Sequence, residues 1–198
     1  CTMHDQFGRT ITYLRISVID KCNLRCLYCM PHGLVNTRRL STLLTNDELV
    51  ELAEIFAELG ITKIRLTGGE PLLRPGIVEL VGRLAELEGI RHVALSSNGV
   101  LLTRHAAALK AAGLARVNVS LDTLSRDRFA AITGMDQWQA VVDGILEAER
   151  VGLSPIKVNT VLMKGVNDEE MLDLVDFAIA HCLELRFIEW MPTNTLVK

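Results

Sequence analysis

Short apolar runs alternate with amphipathic stretches along most of the chain. Residues 13–19, 63–67, 92–97, 116–121, 156–162 and 183–189 are brief and rich in β-branched or leucine residues, which predicts six strands. Between them, 46–59, 76–87, 103–112, 138–151 and 168–181 carry apolar residues at helical spacing. Thr45 or Asn46 can cap the first of these helices and Gly60 can close it, while Gly113 and Gly152 follow two others. Strict alternation of strand and helix implies parallel strands joined by right-handed crossovers. The architecture is then either an open doubly wound sheet or a barrel.

The strand ends separate these two. In both architectures ligands sit beyond the carboxyl ends of the strands. Here each run finishes in polar or glycine-containing sequence: 20–29, Gly68-Gly69-Glu70-Pro71, 96–99, 120–122, Asn159-Thr160 and Glu189. A switch-point cleft would draw mainly on two neighbouring strands, whereas six contributing ends imply a ring around a site. The expectation is a partial (βα)6 barrel of parallel strands, about six of the eight units of a complete one. Residues 1–198 read as a single domain without linker, repeat or low-complexity segment. The chain opens on Cys1 and stops at Lys198 directly after an apolar strand, so the sequence reads as a fragment of a longer protein.

Composition narrows the class. With 49% hydrophobic and 23% charged residues the chain can bury a sizeable core. No apolar run reaches the roughly 18 residues of a membrane span and no export signal is present, so a cytoplasmic address is expected and no membrane partner. A net charge of −3 gives no global field for polyanions, and the pair Arg38-Arg39 is too small to argue for nucleic acid. A homodimer is compatible with this composition, and no feature identifies an electron donor.

Three of the five cysteines, Cys22, Cys26 and Cys29, follow the first strand with spacing C-x3-C-x2-C. Without an export signal such a cluster points to metal binding and not to disulfides. Zinc structural sites want four ligands, which His32 or His4 could complete, and an iron-sulfur cube normally takes four cysteines. Three thiolates on a cube leave one iron open to a substrate. Cys182, at the end of a helical stretch, is expected to be a small core residue, and Cys1 to sit at a frayed terminus.

The run C-N-L-R-C-L-Y-C-M-P resembles the signature of the radical S-adenosylmethionine (SAM) superfamily. The resemblance implies a 4Fe-4S cluster on Cys22, Cys26 and Cys29, with SAM chelated at its fourth iron and cleaved by reduction to release a hydrogen-abstracting radical. It places Tyr28 against the adenine. Gly68-Gly69-Glu70-Pro71 by itself is a plain tight turn or a close approach of backbone to ligand; the resemblance makes it the site of the SAM amino group, carried by Gly69. Asn118, Ser120 and Asp122 share one strand face, as do Ser96 and Asn98. They either bind a ligand or satisfy one another; the resemblance makes Ser120 a SAM contact and Met191 an adenine contact.

Arg15, Arg65 and Lys157 lie on three strands, each on the face of a later polar residue. Buried together they need carboxylates, for which Glu70, Asp122 and Glu189 are candidates, or an anionic ligand. The segments G-R-T-I-T-Y-L-R-I-S-V-I-D-K-C, K-I-R-L-T-G-G-E-P-L-L-R, L-S-S-N-G, R-V-N-V-S-L-D-T-L and L-R-F-I-E-W-M-P resemble the GTP 3',8-cyclase family of molybdenum cofactor biosynthesis. That resemblance implies GTP as substrate, held by Arg15, Arg65, Ser96 and Lys157. It also implies a second 4Fe-4S cluster in a C-terminal region that these 198 residues do not contain. Other readings are a radical SAM enzyme acting on a peptide or another small molecule, and a zinc-stabilised interaction module without catalysis.

Overall fold

The computed structural model describes residues 2–29 and 43–191. Cys1, His32, Arg38 and Arg39, named above, lie outside them. Six strands, β1 (Tyr13–Ser17), β2 (Lys63–Thr67), β3 (His92–Ser97), β4 (Arg116–Ser120), β5 (Lys157–Leu162) and β6 (Glu184–Glu189), form one sheet. The spatial order is β1-β2-β3-β4-β5-β6 and every pairing is parallel. Because strand order never reverses, all crossovers advance in one direction around the sheet. The expected partial (βα)6 barrel is the observed fold.

The helices are α1 (Asn46–Glu58), α2 (Ile77–Glu86), α3 (Leu102–Ala111), α4 (Arg126–Thr133), α5 (Trp138–Arg150) and α6 (Met171–Ala180). Among the described residues none is long and apolar enough to cross a membrane. Thr45 caps α1 through a reciprocal capping box with Glu48. Gly60, Gly113 and Gly152 stand at positive φ just after α1, α3 and α5, where a left-handed residue ends the helix.

α4 was not expected from the sequence. It has eight residues and begins Arg126-Asp127-Arg128, so its apolar pattern is carried by little more than Phe129 and Ile132. Ser125 caps it and the left-handed Gly134 closes it.

The two faces of the sheet differ. Ile64, Leu66, Leu95, Val117 and Val119 are completely buried on the helix-facing side. The opposite face carries Arg15, Arg65, Asn118 and Lys157, aligned by the register Arg15↔Arg65 and Asn118↔Lys157↔Glu184. Cys182 does not enter the core. It is exposed, with φ at 51°, because it takes the left-handed position after α6 that glycine fills at other helix ends.

Candidate radical SAM site

The cysteine loop owes its shape to hydrogen bonds from distant elements. The amides of Arg25 and Leu27 donate to the carbonyls of Thr133 and Ile132 at 2.8 and 2.9 Å, so the end of α4 holds the loop's first half. Cys29 closes a turn onto the Cys26 carbonyl. On the other side the amides of Gly69 and Glu70 donate to the carbonyls of Ile19 and Lys21, each at 2.7 Å. A Cβ on Gly69 would sit 2.3 Å from the Lys21 oxygen, and one on Gly68 would sit 2.2 Å from the Ile19 oxygen. The two glycines are therefore demanded by the close passage of residues 19–21. Of the two readings open from the tetrapeptide alone, a tight turn and a backbone approach to a ligand, this close passage is a local reason of the first kind.

Glu70 is fully buried. Its carboxylate accepts from the Leu72 amide, the Ser97 hydroxyl and the Asn98 amide at 3.0, 2.9 and 2.7 Å. Burial raises its pKa above the usual carboxylate value despite these donors. Asp122 is likewise raised by burial; it accepts from the Val161 amide and from the Tyr28 hydroxyl at 2.8 and 2.7 Å. The fully buried Asn167 braces this turn by donating to the Asp122 and Val161 carbonyls. Among the described residues neither carboxylate forms a salt bridge with a strand cation, and Lys157 pairs elsewhere. Glu189 shares the parity of Leu185 and Phe187, opposite that of Glu184 and Arg186, so it is not a partner either.

Cys22, Cys26 and Cys29 are free thiols. All three line one cavity of about 210 Å³, whose wall also holds Tyr28, Gly69 and Ser120. Burial, with the Asp122 charge adding, pushes the Cys26 thiol up to about 12, and burial also raises Cys29. A larger depression of about 450 Å³ lies between α1 and the end of α2, lined by Glu54, Glu58 and Glu88. It is acidic and away from the carboxyl ends of the strands. Met191 is not brought to the thiol cavity: it is 73% exposed just past β6.

Below the thiols the inward face of the sheet is polar and cationic. Arg65 donates to the Ser96 hydroxyl at 3.3 Å and lies 5.8 Å from the centre of the Tyr13 ring. Lys157 is buried and pairs with Glu184, a partner the sequence reading did not name. Arg15, expected to be buried, is exposed on β1. Strand parity adds Lys63, Arg116 and Arg186 to the same face, and Arg186 and Arg116 both lower the Glu184 pKa after the larger effect of Lys157. The two-residue period could have found them from sequence, because Lys63 precedes Arg65 by two and Arg116 precedes Asn118 by two. Among the described residues, Arg65 Nε and Asn118 Oδ1 are buried without a hydrogen-bond partner.

Comparison with known proteins bears on the family and the fold. The family model for the radical SAM superfamily matches residues 16–178. The chain is 52% identical over 191 residues to the GTP 3',8-cyclase of Peptoclostridium acidaminophilum, which covers 96% of this chain and 59% of that protein. It is 52% identical over 191 residues to the GTP 3',8-cyclase of Streptomyces coelicolor, covering 96% of this chain and 56% of that one. The chain thus spans a little under three fifths of the length of these relatives. The crystal structure of Streptococcus suis SuiB bound to S-adenosylmethionine superposes with a TM-score of 0.80 at 20% identity, over 94% of this chain and 42% of that one, which shows a shared fold. On the matched family model, the chain belongs to the radical SAM superfamily.

Proposed function

We propose that the chain is the catalytic core of a radical SAM GTP 3',8-cyclase acting in molybdenum cofactor biosynthesis. The observation that carries the reading is the grouping of three thiols with Gly69, Ser96 and Ser120 around one cavity at the carboxyl ends of the strands, on the sheet face that also carries Arg65 and Lys157. Curated relatives bearing the cyclase name match almost the full chain, which supports the substrate.

Cys22, Cys26 and Cys29 fit a 4Fe-4S cube by their donor chemistry. A cube gives each thiolate its own iron, whereas zinc needs its ligands to meet at a single ion. Among the described residues no three His, Cys, Asp or Glu side chains meet that way. Both amides of the Gly69-Glu70 turn are used internally and the Glu70 carbonyl accepts from the Leu73 amide, which leaves the Gly69 carbonyl to accept from the SAM ammonium. Ser120 is assigned to SAM with Gly69 and with Tyr28, whose hydroxyl is fixed by Asp122; Met191, exposed past β6, would have to turn toward that cavity to meet the adenine. When bound, cluster and SAM would supply the one-electron cleavage of a carbon-sulfur bond and the hydrogen-abstracting radical.

The protein's share is placement. Arg15, Arg65, Ser96 and Lys157 hold the GTP, with Arg offering paired donors to phosphate oxygens and Lys a point charge. The orphaned Arg65 Nε and Asn118 Oδ1 are supplied with partners by a polar ligand lying on this face. Lys157 exchanges Glu184 for phosphate when the substrate enters.

Anaerobic reconstitution tests the reading. Brown protein carrying about four irons and matching sulfide is expected, and Cys26→Ala should bring iron to background. Equilibrium binding of GTP by the 198-residue chain should weaken at least tenfold in Arg65→Ala or Lys157→Ala, in line with the roughly 1.5–3 kcal/mol of a charge-assisted contact. Colourless protein holding one zinc, or GTP binding indifferent to both cations, overturns the proposal.

A further inference from the structure

The three thiols are not equivalent in their surroundings. Cys22 Sγ receives two N–H groups, the Leu24 amide at 3.5 Å and the side-chain amide of Asn98 at 3.7 Å. The direction of the Asn98 amide is fixed by chemistry. Its Oδ1 accepts from the Val100 backbone N–H at 3.1 Å, and a backbone amide can only donate. The NH2 must therefore face the other way, where one hydrogen goes to Asn23 Oδ1 at 2.7 Å and the other to Cys22 Sγ.

Asn98 is itself held. Its backbone N–H donates to Glu70 Oε2 at 2.7 Å, and Glu70 Oε1 holds Ser97 and Leu72. A buried carboxylate in the glycine turn thus anchors, through one backbone bond, the side chain that reaches the first cysteine. The arrangement spans three strand ends, and neither Glu70 nor Asn98 is left with a direct task at the SAM or GTP positions assigned above.

We propose that Asn98 is a positioning residue that sets the electron affinity of the cluster by hydrogen-bonding the Cys22 sulfur, with Glu70 holding it in place. This rests on the reading that Cys22 ligates a cluster. An N–H dipole aimed at a cluster sulfur stabilises the form with the extra electron, so it raises the reduction potential; hydrogen bonds to the sulfurs are among the features that set such potentials. Cys22 is the thiol that Asn98 hydrogen-bonds, which makes the tuning asymmetric across the cube.

The test is a redox titration, monitored by electron paramagnetic resonance, of the anaerobically reconstituted chain without SAM. Asn98→Asp keeps the shape and the acceptor for Val100 but removes the donor to sulfur; Asn98→Ser keeps an acceptor near Val100 and withdraws the donor from the sulfur by shortening the side chain, without adding charge. Both are expected to move the midpoint to more negative potential, Asp further than Ser. Asn23→Ala deletes the amide's other partner and should leave the midpoint in place. Glu70→Asp keeps the charge but draws the carboxylate back from the Asn98 amide, so it should shift the midpoint in the same direction by less, and combining it with Asn98→Ser should add little, since one acts through the other.

A midpoint unchanged in both Asn98 variants, with iron content intact, overturns the proposal. So does loss of the cluster from both, which would make Asn98 a residue of folding alone. An equal shift in Asn23→Ala overturns it as well. Absence of a cluster from the unsubstituted protein would instead defeat the underlying reading, so the two failures are distinguishable.

Discussion

The two faces of the sheet obey different rules. On the helix side, Leu66, Leu95, Val117 and Val119 are completely buried against apolar neighbours, and their side chains carry no polar group to satisfy. One residue away along the same strands, and among the described residues, Arg65 keeps a buried nitrogen without a hydrogen-bond partner and Asn118 a buried oxygen without one. A face that breaks the rule of satisfied polar groups, within strands that otherwise follow every packing rule, is kept for something other than stability. The contrast separates what folds the protein from what the protein acts with.

The sharpest way to break that comparison is to truncate each face and read stability and ligand binding together. Leu66→Ala removes a fully buried side chain and should cost about 3 kcal/mol of unfolding free energy by chemical denaturation, while GTP affinity in the remaining folded protein stays within twofold. Lys157→Ala should do the reverse. Its partner Glu184 is half-exposed and can be rehydrated, so denaturation should change little while GTP binding falls at least tenfold. A Lys157→Ala protein as unstable as Leu66→Ala would erase the distinction.

A pH series sharpens it further at Glu70. The buried carboxyl has a folded-state pKa above its ordinary value of 4.5, so the folded protein holds this proton longer than the unfolded chain does. Its contribution to stability is complete below pH 4.5 and is lost as pH rises through the raised folded value. Against wild type, Glu70→Gln should therefore show its largest deficit at the acid end of this window and a shrinking one as pH increases. Denaturation midpoints at stepped pH check it; a deficit that grows with pH contradicts the sign. The smallest effect belongs to Asn118→Val. It removes an acceptor that has no donor, so stability should change by less than about 1 kcal/mol or rise slightly.

Much of this was legible in the sequence, for identifiable reasons. Strands buried on one side by helices read as short apolar runs, so β2 and β3 matched their expected limits and the others differed at an end by one or two residues. Glycine and threonine marked helix ends because left-handed backbone and a capping oxygen have few substitutes. The three cysteines and the Gly69 turn fell into one cavity as expected. What was not legible depends on register. Strand parity placed Lys157 inward, but only the β5–β6 alignment sets Glu184 beside it. Likewise Arg15 has the right parity and still lies exposed on the edge strand β1. Helix α4 escaped because a short, charged segment carries too little periodicity, although its last carbonyls shape the cysteine loop.

That last feature bears on the order of assembly. The thiols sit at positions 22–29, whereas the carbonyls that orient them belong to Ile132 and Thr133, more than a hundred residues later. An emerging polypeptide exposes its sulfurs long before the brace for them exists. Iron captured at that stage would meet a floppy peptide, so the productive sequence of events is polypeptide first and inorganic cargo last, with the docking of one modest helix as the signal that the receptacle is ready.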